Sequence, residues 1–83
     1  MIDKDPKSLL QELLQSRKIA VPEYTVTLTS GEAHAQQFVV ECFIDKHNIR
    51  TIGEGSSRRL AEQQAAQLAL LEFKKIHIGK IKK

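Results

Sequence analysis

The segment from Gly53 to Glu62 constrains the fold of this chain more than any other. It reads Gly-Glu-Gly-Ser-Ser-Arg-Arg-Leu-Ala-Glu, which predicts a flexible turn, a serine cap and the first turn of a long helix. Arg58 and Arg59 stand in that first turn, where a helix N-terminus already carries about half a positive charge. A phosphate bound there would pair with the arginines, the hydroxyls and the free N–H groups together. The alternative is a solvated helix start with two ordinary surface arginines.

Length and composition indicate one small domain. The chain has 83 residues, of which 41% are hydrophobic, enough for a single core. No apolar run approaches the ~20 residues of a membrane span, and the N-terminus has no apolar signal-peptide region. Cys42 is the only cysteine and lies in an apolar run, so we expect a reduced, buried thiol. These features predict a cytoplasmic location and no membrane partner.

The basic charge is concentrated in the C-terminal third. Residues 1–55 hold six Lys/Arg and eight Asp/Glu, a net charge of −2, whereas residues 56–83 hold seven and two, a net charge of +5. A one-sided basic surface suits a polyanion such as nucleic acid. Basic tails also occur where they only aid solubility, so the charge alone does not decide.

The first helix is expected to begin at Asp5-Pro6, an N-cap followed by a proline suited to the first helical position, and to end near Arg17. Its leucines at positions 9, 10, 13 and 14 form one apolar stripe. The opposite face carries a row with a single charge: Ser8, Gln11, Glu12 and Gln15. Amides and hydroxyls donate and accept hydrogen bonds, which suits ribose hydroxyls and base edges. The alternative is a face that is merely polar.

Three strands are predicted next. Residues 24–29 alternate strictly, which places Tyr24, Val26 and Leu28 on one side and three threonines on the other. The second strand covers residues 37–44, with inward residues Phe38, Val40, Cys42 and Ile44. A tight turn at 45–48 leads to a third strand from Ile49 to Ile52 that ends at Gly53.

The second helix is predicted from about Ser57 to Lys75. Its alanines at 61, 65, 66 and 69 would allow close approach to the sheet, Leu68 and Leu71 would fill the core, and Gly79 would end the helix. The chain therefore divides into a domain at 5–75 and a basic tail at 76–83. The order α-β-β-β-α predicts an α+β fold, in which both helices cover one face of a three-stranded antiparallel sheet.

Three motifs on three different elements together resemble those of one family. The first motif is the polar row of the first helix, a hydroxyl, Gln-Glu and Gln, formed by Ser8, Gln11, Glu12 and Gln15. The segment from Gly31 to Phe38 resembles Gly-Pro-x-His-x-x-x-Phe, with Glu32 in place of proline. The segment from Gly53 to Ala61 resembles Gly-x-Gly-x-Ser followed by two basic residues, any residue and alanine. Over residues 5–75 the chain thus resembles the double-stranded-RNA-binding domain, and most closely the C-terminal domain of bacterial ribonuclease III.

The resemblance implies three contacts with one duplex of about 16 bp. The first-helix row would enter one minor groove, the loop around His34 would enter the next, and the helix start would bind the phosphates between. The family's helix-start motif often ends in lysine, and Glu62 stands there instead, as in the ribonuclease III branch. The implied RNA-binding residues are Ser8, Gln11, Glu12, Gln15, His34, Ser56, Ser57, Arg58, Arg59 and Glu62.

The resemblance also implies a parent enzyme. That parent would be a homodimeric ribonuclease III that processes structured RNA, with a Mg²⁺-dependent nuclease domain lying outside this chain. A self-contained nuclease is the weaker interpretation, because two-metal cleavage needs clustered carboxylates and here the acids are spread singly. A protein–protein adaptor is the other alternative, with Val39 and Phe43 on the open sheet face. His47 and His77 are expected to be merely exposed.

Overall fold

The computed structural model describes residues 5–32 and 35–82, with the side chains of the last helix described up to Ile76. Its elements are α1 (Pro6–Ser16), β1 (Glu23–Ser30), β2 (Gln37–Ile44), a short 3-10 turn (Asp45–His47), β3 (Ile49–Gly55) and α2 (Arg58–Lys82). The three strands form one antiparallel sheet in the order β1-β2-β3. The predicted α-β-β-β-α order and the α+β fold class are confirmed.

The start of α1 is capped from two directions. The Asp5 carboxylate accepts the Ser8 backbone N–H at 2.8 Å, as the sequence predicts for an N-cap, and this bond is the main cause that lowers the pKa of Asp5. The Lys7 backbone N–H donates to Oε1 of Gln63 at 3.0 Å. Because Gln63 belongs to α2, that hydrogen bond also fixes the start of α1 against the second helix.

The predicted alternation of β1 breaks at a bulge. Val26 pairs with Val40, but Leu28 pairs with Val39, so Thr27 is the extra residue. An extra residue turns every following side chain to the opposite face of the sheet. Leu28 is therefore 56% exposed beside Val39, and its predicted place beside Tyr24 and Val26 is wrong.

The core lies between the two helices and one face of the sheet. α1 contributes Leu10 and Leu14, both fully buried, whereas Leu9 at the edge of the predicted stripe is 43% exposed. The sheet contributes Val40, Cys42, Ile44 and Ile49. Cys42 is a buried free thiol, as predicted, and its burial raises the pKa of the thiol.

The inward face of α2 differs from the predicted one. The alanines at 61, 65, 66 and 69 are fully buried as expected, but the large core residues beside them are Leu70 and Phe73. Leu68 and Leu71 are 38% and 48% exposed, because they flank the alanine stripe, whereas Leu70 and Phe73 continue it at helical spacing. The prediction that Leu68 and Leu71 fill the core is therefore wrong.

Two element ends also differ from prediction. β3 continues past Gly53 to Gly55, and α2 continues past Gly79 to Lys82, so Gly79 does not end the helix. A glycine inside a helix costs only about 1 kcal/mol relative to alanine and ends it only where the chain turns left-handed. His47 is half-buried rather than merely exposed, since its ring meets Phe73 edge-on at 5.2 Å. The side chain of His77 lies outside the described part of the chain.

Gly53 sets how closely α2 approaches β3. A Cβ atom at this position would lie 2.3 Å from the carbonyl oxygen of Ala61 and 2.3 Å from the backbone nitrogen of Ala65. The buried hydroxyl of Thr51 donates to the Ala65 carbonyl at 2.7 Å. Glycine and alanine thus let the start of α2 lie directly on the backbone of the edge strand.

Candidate nucleic-acid interface

The polar row of α1 is exposed and continuous. Ser8, Gln11, Glu12 and Gln15 all lie on the side of the helix opposite Leu10 and Leu14. Because α1 is anchored by its leucines beneath, the row is presented on a fixed support. The structure therefore brings these four predicted residues together on one face.

The start of α2 has the geometry of an anion receptor. The hydroxyl of Ser57 accepts the Leu60 backbone N–H at 3.2 Å, so Ser57, and not Ser56, is the capping serine. Arg58 and Arg59 are the first two helical residues and both are exposed. The first backbone N–H groups of a helix have no acceptor within it and carry the positive end of its dipole. Cations and free donors are thus combined at one point.

One predicted site residue, Glu62, lies beneath this surface. Its carboxylate is 11% exposed and accepts a hydrogen bond on each oxygen, from Lys7 Nζ at 2.5 Å and from Arg58 Nε at 2.9 Å. Burial would raise the pKa of Glu62, but the hydrogen bonds and charges of Lys7 and Arg58 outweigh it and hold the pKa below its ordinary value. Arg58 is therefore paired with a carboxylate of the protein itself, whereas the sequence had suggested that its partner is a bound anion.

The α1 row and the α2 start are contiguous. Both border a shallow surface groove lined by Asp5, Lys7, Ser8, Gln11, Arg59 and Gln63. Two of the predicted minor-groove residues thus lie beside one of the predicted phosphate-binding arginines. Within the described residues Arg59 faces this groove without a hydrogen-bonded carboxylate, in contrast to Arg58.

The third predicted contact lies outside the described residues. His34 belongs to the gap between residues 32 and 35, so its role in the second minor groove stays a prediction. On either side of this gap, the Ala35 N–H donates to the Glu32 carbonyl at 2.8 Å. Gly31 has a φ of 93°, a left-handed conformation that favours glycine, and this agrees with the glycine of the loop motif.

Sequence reasoning missed Lys7, Tyr24 and Gln63. The ammonium of Lys7 lies 4.8 Å above the ring of Tyr24 and pairs with Glu62, 55 positions away in the chain. No local motif connects residues so far apart. The sequence gives one hint, which is that Lys7 lies in the first turn of the helix that carries the polar row.

The open sheet face offers a different surface. Val39 and Phe43, the proposed adaptor residues, are half-buried. The guanidinium of Arg50 covers the Phe43 ring at 4.4 Å and pairs with Glu41 at 2.6 Å. Phe43 is thus partly covered by its own neighbours, whereas Leu28, which the bulge turns outward, adds exposed apolar surface beside Val39.

No group of three His, Cys, Asp or Glu residues that could hold a metal ion occurs among the residues described. Within those same bounds, no helix has the length and apolarity needed to cross a membrane.

Comparison with known proteins identifies the family. Residues 6–72 match the sequence model of the double-stranded RNA binding motif. Proteins named Ribonuclease 3 from Nitrosomonas eutropha and Ralstonia pickettii are both 62% identical, over 69 and 71 residues, which is 83% and 86% of this chain. The one from Nitrosomonas europaea is 65% identical over 66 residues, 80% of this chain. The chain spans only 27–28% of the length of these relatives.

Solved structures agree with the sequence relatives. The first dsRBD of protein HYL1 is 35% identical with a TM-score of 0.66, covering 83% of this chain and 96% of that one. The two-dsRBD segment of DRB4 is 33% identical with a TM-score of 0.63, covering 83% of this chain and 44% of that one. Motifs, element order and relatives agree, and the chain belongs to the family of double-stranded-RNA-binding domains, most similar to those of ribonuclease III.

Proposed function

We propose that this chain is the substrate-binding domain of a ribonuclease III and that it holds duplex RNA against the contiguous surface of α1 and the α2 start. The observation that carries the proposal is the groove in which Ser8 and Gln11 lie beside Arg59. A surface of this kind offers neutral hydrogen-bonding groups and a cation side by side. In duplex RNA the 2′-hydroxyls and the phosphates likewise lie next to one another.

The shape of A-form RNA assigns each part of this surface a partner. The minor groove is wide and shallow and displays 2′-hydroxyls and base edges, so it fits the exposed row Ser8, Gln11, Glu12 and Gln15. The neighbouring phosphates fit Arg58, Arg59 and the N-terminus of α2, with Ser56 exposed next to them. The loop of His34 is proposed to reach the second minor groove.

Selectivity for RNA over DNA follows from the small charge of the α1 row. An amide or hydroxyl binds a phosphate weakly compared with an arginine, but it hydrogen-bonds well to a 2′-hydroxyl. DNA lacks the 2′-hydroxyl and in its B-form has a narrow minor groove. The row therefore contributes binding energy mainly with RNA.

The parent protein is proposed to carry out the chemistry elsewhere in its sequence. The named relatives are more than three times as long as the matched segment, which leaves ample length for a nuclease domain. The described carboxylates of this chain do not cluster and do not fit a catalytic metal. A divalent metal, for which we propose Mg²⁺, would be bound by that separate domain of a homodimeric, cytoplasmic enzyme.

The purified chain should be tested with duplex RNA, an RNA–DNA hybrid and duplex DNA of one sequence, with Mg²⁺ present. We expect affinity to fall in that order and the RNA to stay uncut. The charge-reversed variant Arg58→Glu/Arg59→Glu should lose RNA binding and keep its circular-dichroism spectrum. Equal affinity for all three duplexes would contradict the proposal, as would cleavage that survives further purification. An adaptor that uses Val39 and Phe43 would be indifferent to this variant.

A further inference from the structure

We propose that Glu62 is a positioning residue, which contacts no RNA itself but holds Arg58 in the conformation that receives a phosphate. The inference rests on the proposed RNA-binding surface and adds a role for a carboxylate that, on charge alone, should repel RNA. It begins from the geometry of Arg58, which gives Nε to Glu62 at 2.9 Å while its side chain stays 61% exposed.

This geometry leaves the phosphate-binding end of Arg58 free. A guanidinium has five N–H donors in a rigid plane, and the Nε–H is only one of them. Bonding through Nε restrains the guanidinium, while the side chain stays exposed enough for its terminal nitrogens to meet a phosphate. Those two nitrogens form the fork that binds a phosphate with two parallel hydrogen bonds.

Glu62 is itself held from a second side. Its other oxygen accepts the bond from Lys7, whose ammonium also rests over the Tyr24 ring at 4.8 Å. The Lys7 backbone N–H meanwhile bonds to Gln63, the residue next to Glu62. The carboxylate therefore has little freedom to follow Arg58, and the arginine is fixed relative to α1 as well as α2.

Fixing Arg58 before RNA arrives should improve affinity. Immobilising a side chain with many rotamers on binding reduces affinity by about two- to tenfold, and a chain that is already fixed avoids this loss. Simple charge counting predicts the opposite change in affinity, because neutralising Glu62 near a polyanion should tighten binding. The two accounts can therefore be separated by one substitution.

The decisive variant is Glu62→Gln, measured by fluorescence anisotropy with duplex RNA over a series of KCl concentrations. We expect RNA affinity to fall about two- to tenfold with little change in the salt slope, since Arg58 still contacts the phosphate but must be ordered when RNA binds. The matched control is Glu72→Gln. It removes the same charge from an exposed position on α2, where Glu72 pairs with Lys75 at 3.5 Å, and it should not weaken binding.

A second background tests whether the effect passes through Arg58. In Arg58→Ala, the further change Glu62→Gln should cause no additional loss. The proposal is overturned if Glu62→Gln tightens binding as charge counting requires, or weakens Arg58→Ala as much as it weakens the wild type. If substitution of both Arg58 and Arg59 left the RNA affinity unchanged, the proposed binding surface itself would be refuted.

The wild-type protein provides a measurement that does not depend on the variant's stability. The Nε–H of Arg58 should give an ordered NMR signal, protected from solvent exchange, while that of Arg59 exchanges rapidly. A rapidly reorienting Arg58 guanidinium in the free protein would exclude a positioning role for Glu62. Melting curves of each variant, recorded beside the binding data, show that affinities are compared between folded proteins.

Discussion

Replacing Gly53 by alanine should lower the free energy of unfolding by about 2–6 kcal/mol. The new Cβ would lie 2.3 Å from two backbone atoms of α2, while an ordinary contact begins at 3.4 Å, so the helix must retreat by about 1 Å. Neither atom belongs to a flexible side chain that could turn aside. Crowding a packed core in this way costs about 1–3 kcal/mol.

The retreat has a second cost at Thr51. Its hydroxyl donates to the Ala65 carbonyl at 2.7 Å in a buried setting, and a shift of about 1 Å stretches that bond beyond hydrogen-bonding range. An unsatisfied buried polar group costs about 1–3 kcal/mol. Natural domains have about 5–15 kcal/mol of stability in total, so a chain of 83 residues would lose a large share.

Thermal and urea unfolding followed by circular dichroism would measure the loss, and the melting temperature should fall by at least about 10 °C. Gly55→Ala is the matched comparison, because its Cβ would approach no closer than 2.7 Å to any atom of α2, against 2.3 Å at Gly53. We expect it to cost less. A Gly53→Ala protein as stable as the wild type, or less damaged than Gly55→Ala, would refute the packing argument.

Three further outcomes follow from the binding surface. Arg58→Ala/Arg59→Ala should flatten the dependence of log affinity on log salt by about one unit per lost contact, and an unchanged slope would place the phosphate site elsewhere. Gln11→Ala should weaken duplex RNA binding by on the order of 1 kcal/mol and hardly alter duplex DNA binding; equal losses would reduce the domain to a basic clamp. Glu62 titrates below its ordinary pKa of 4.5, so the stability that it contributes is present above that value and disappears as pH falls through the folded-state pKa. The stability difference between wild type and Glu62→Gln, measured by urea unfolding, should therefore vanish in strong acid.

Local signals predicted the elements because their causes are local. Asp5-Pro6 caps α1 by bonding a residue three positions away, and Ser57 caps α2 in the same way. Alternation revealed the strands for the same reason, since side chains change face at every residue. The predictions that were wrong concern features that depend on contacts between different elements. The bulge that turns Leu28 outward depends on how β1 pairs with β2, and the burial of Leu70 in place of Leu68 depends on where α2 meets the sheet.

The residues of the candidate site show the same difference between local features and contacts that only folding creates. The exposed row of α1 and the arginines of α2 are recognisable because each lies within one helix. The contact of Glu62 with Lys7 joins residues 55 positions apart, and only the folded chain brings them together. The sequence therefore suggested that Glu62 is an RNA-binding residue in the position of the family's lysine, whereas in the structure its carboxylate is buried between Lys7 and Arg58.

Stability and RNA affinity should separate when the α2–β3 and α1–α2 contacts are altered one at a time. Gly53→Ala forces α2 away from β3 but leaves the contacts of Lys7 with Glu62 and Gln63 in place, so the two helices can shift together. Glu62→Gln leaves the α2–β3 contact intact and releases Arg58. At a temperature where both variants are folded, Gly53→Ala should therefore be the less stable protein and Glu62→Gln the weaker RNA binder. A Gly53→Ala variant that binds as weakly as Glu62→Gln would show that the sheet, and not the α1–α2 contact, fixes the RNA-binding surface.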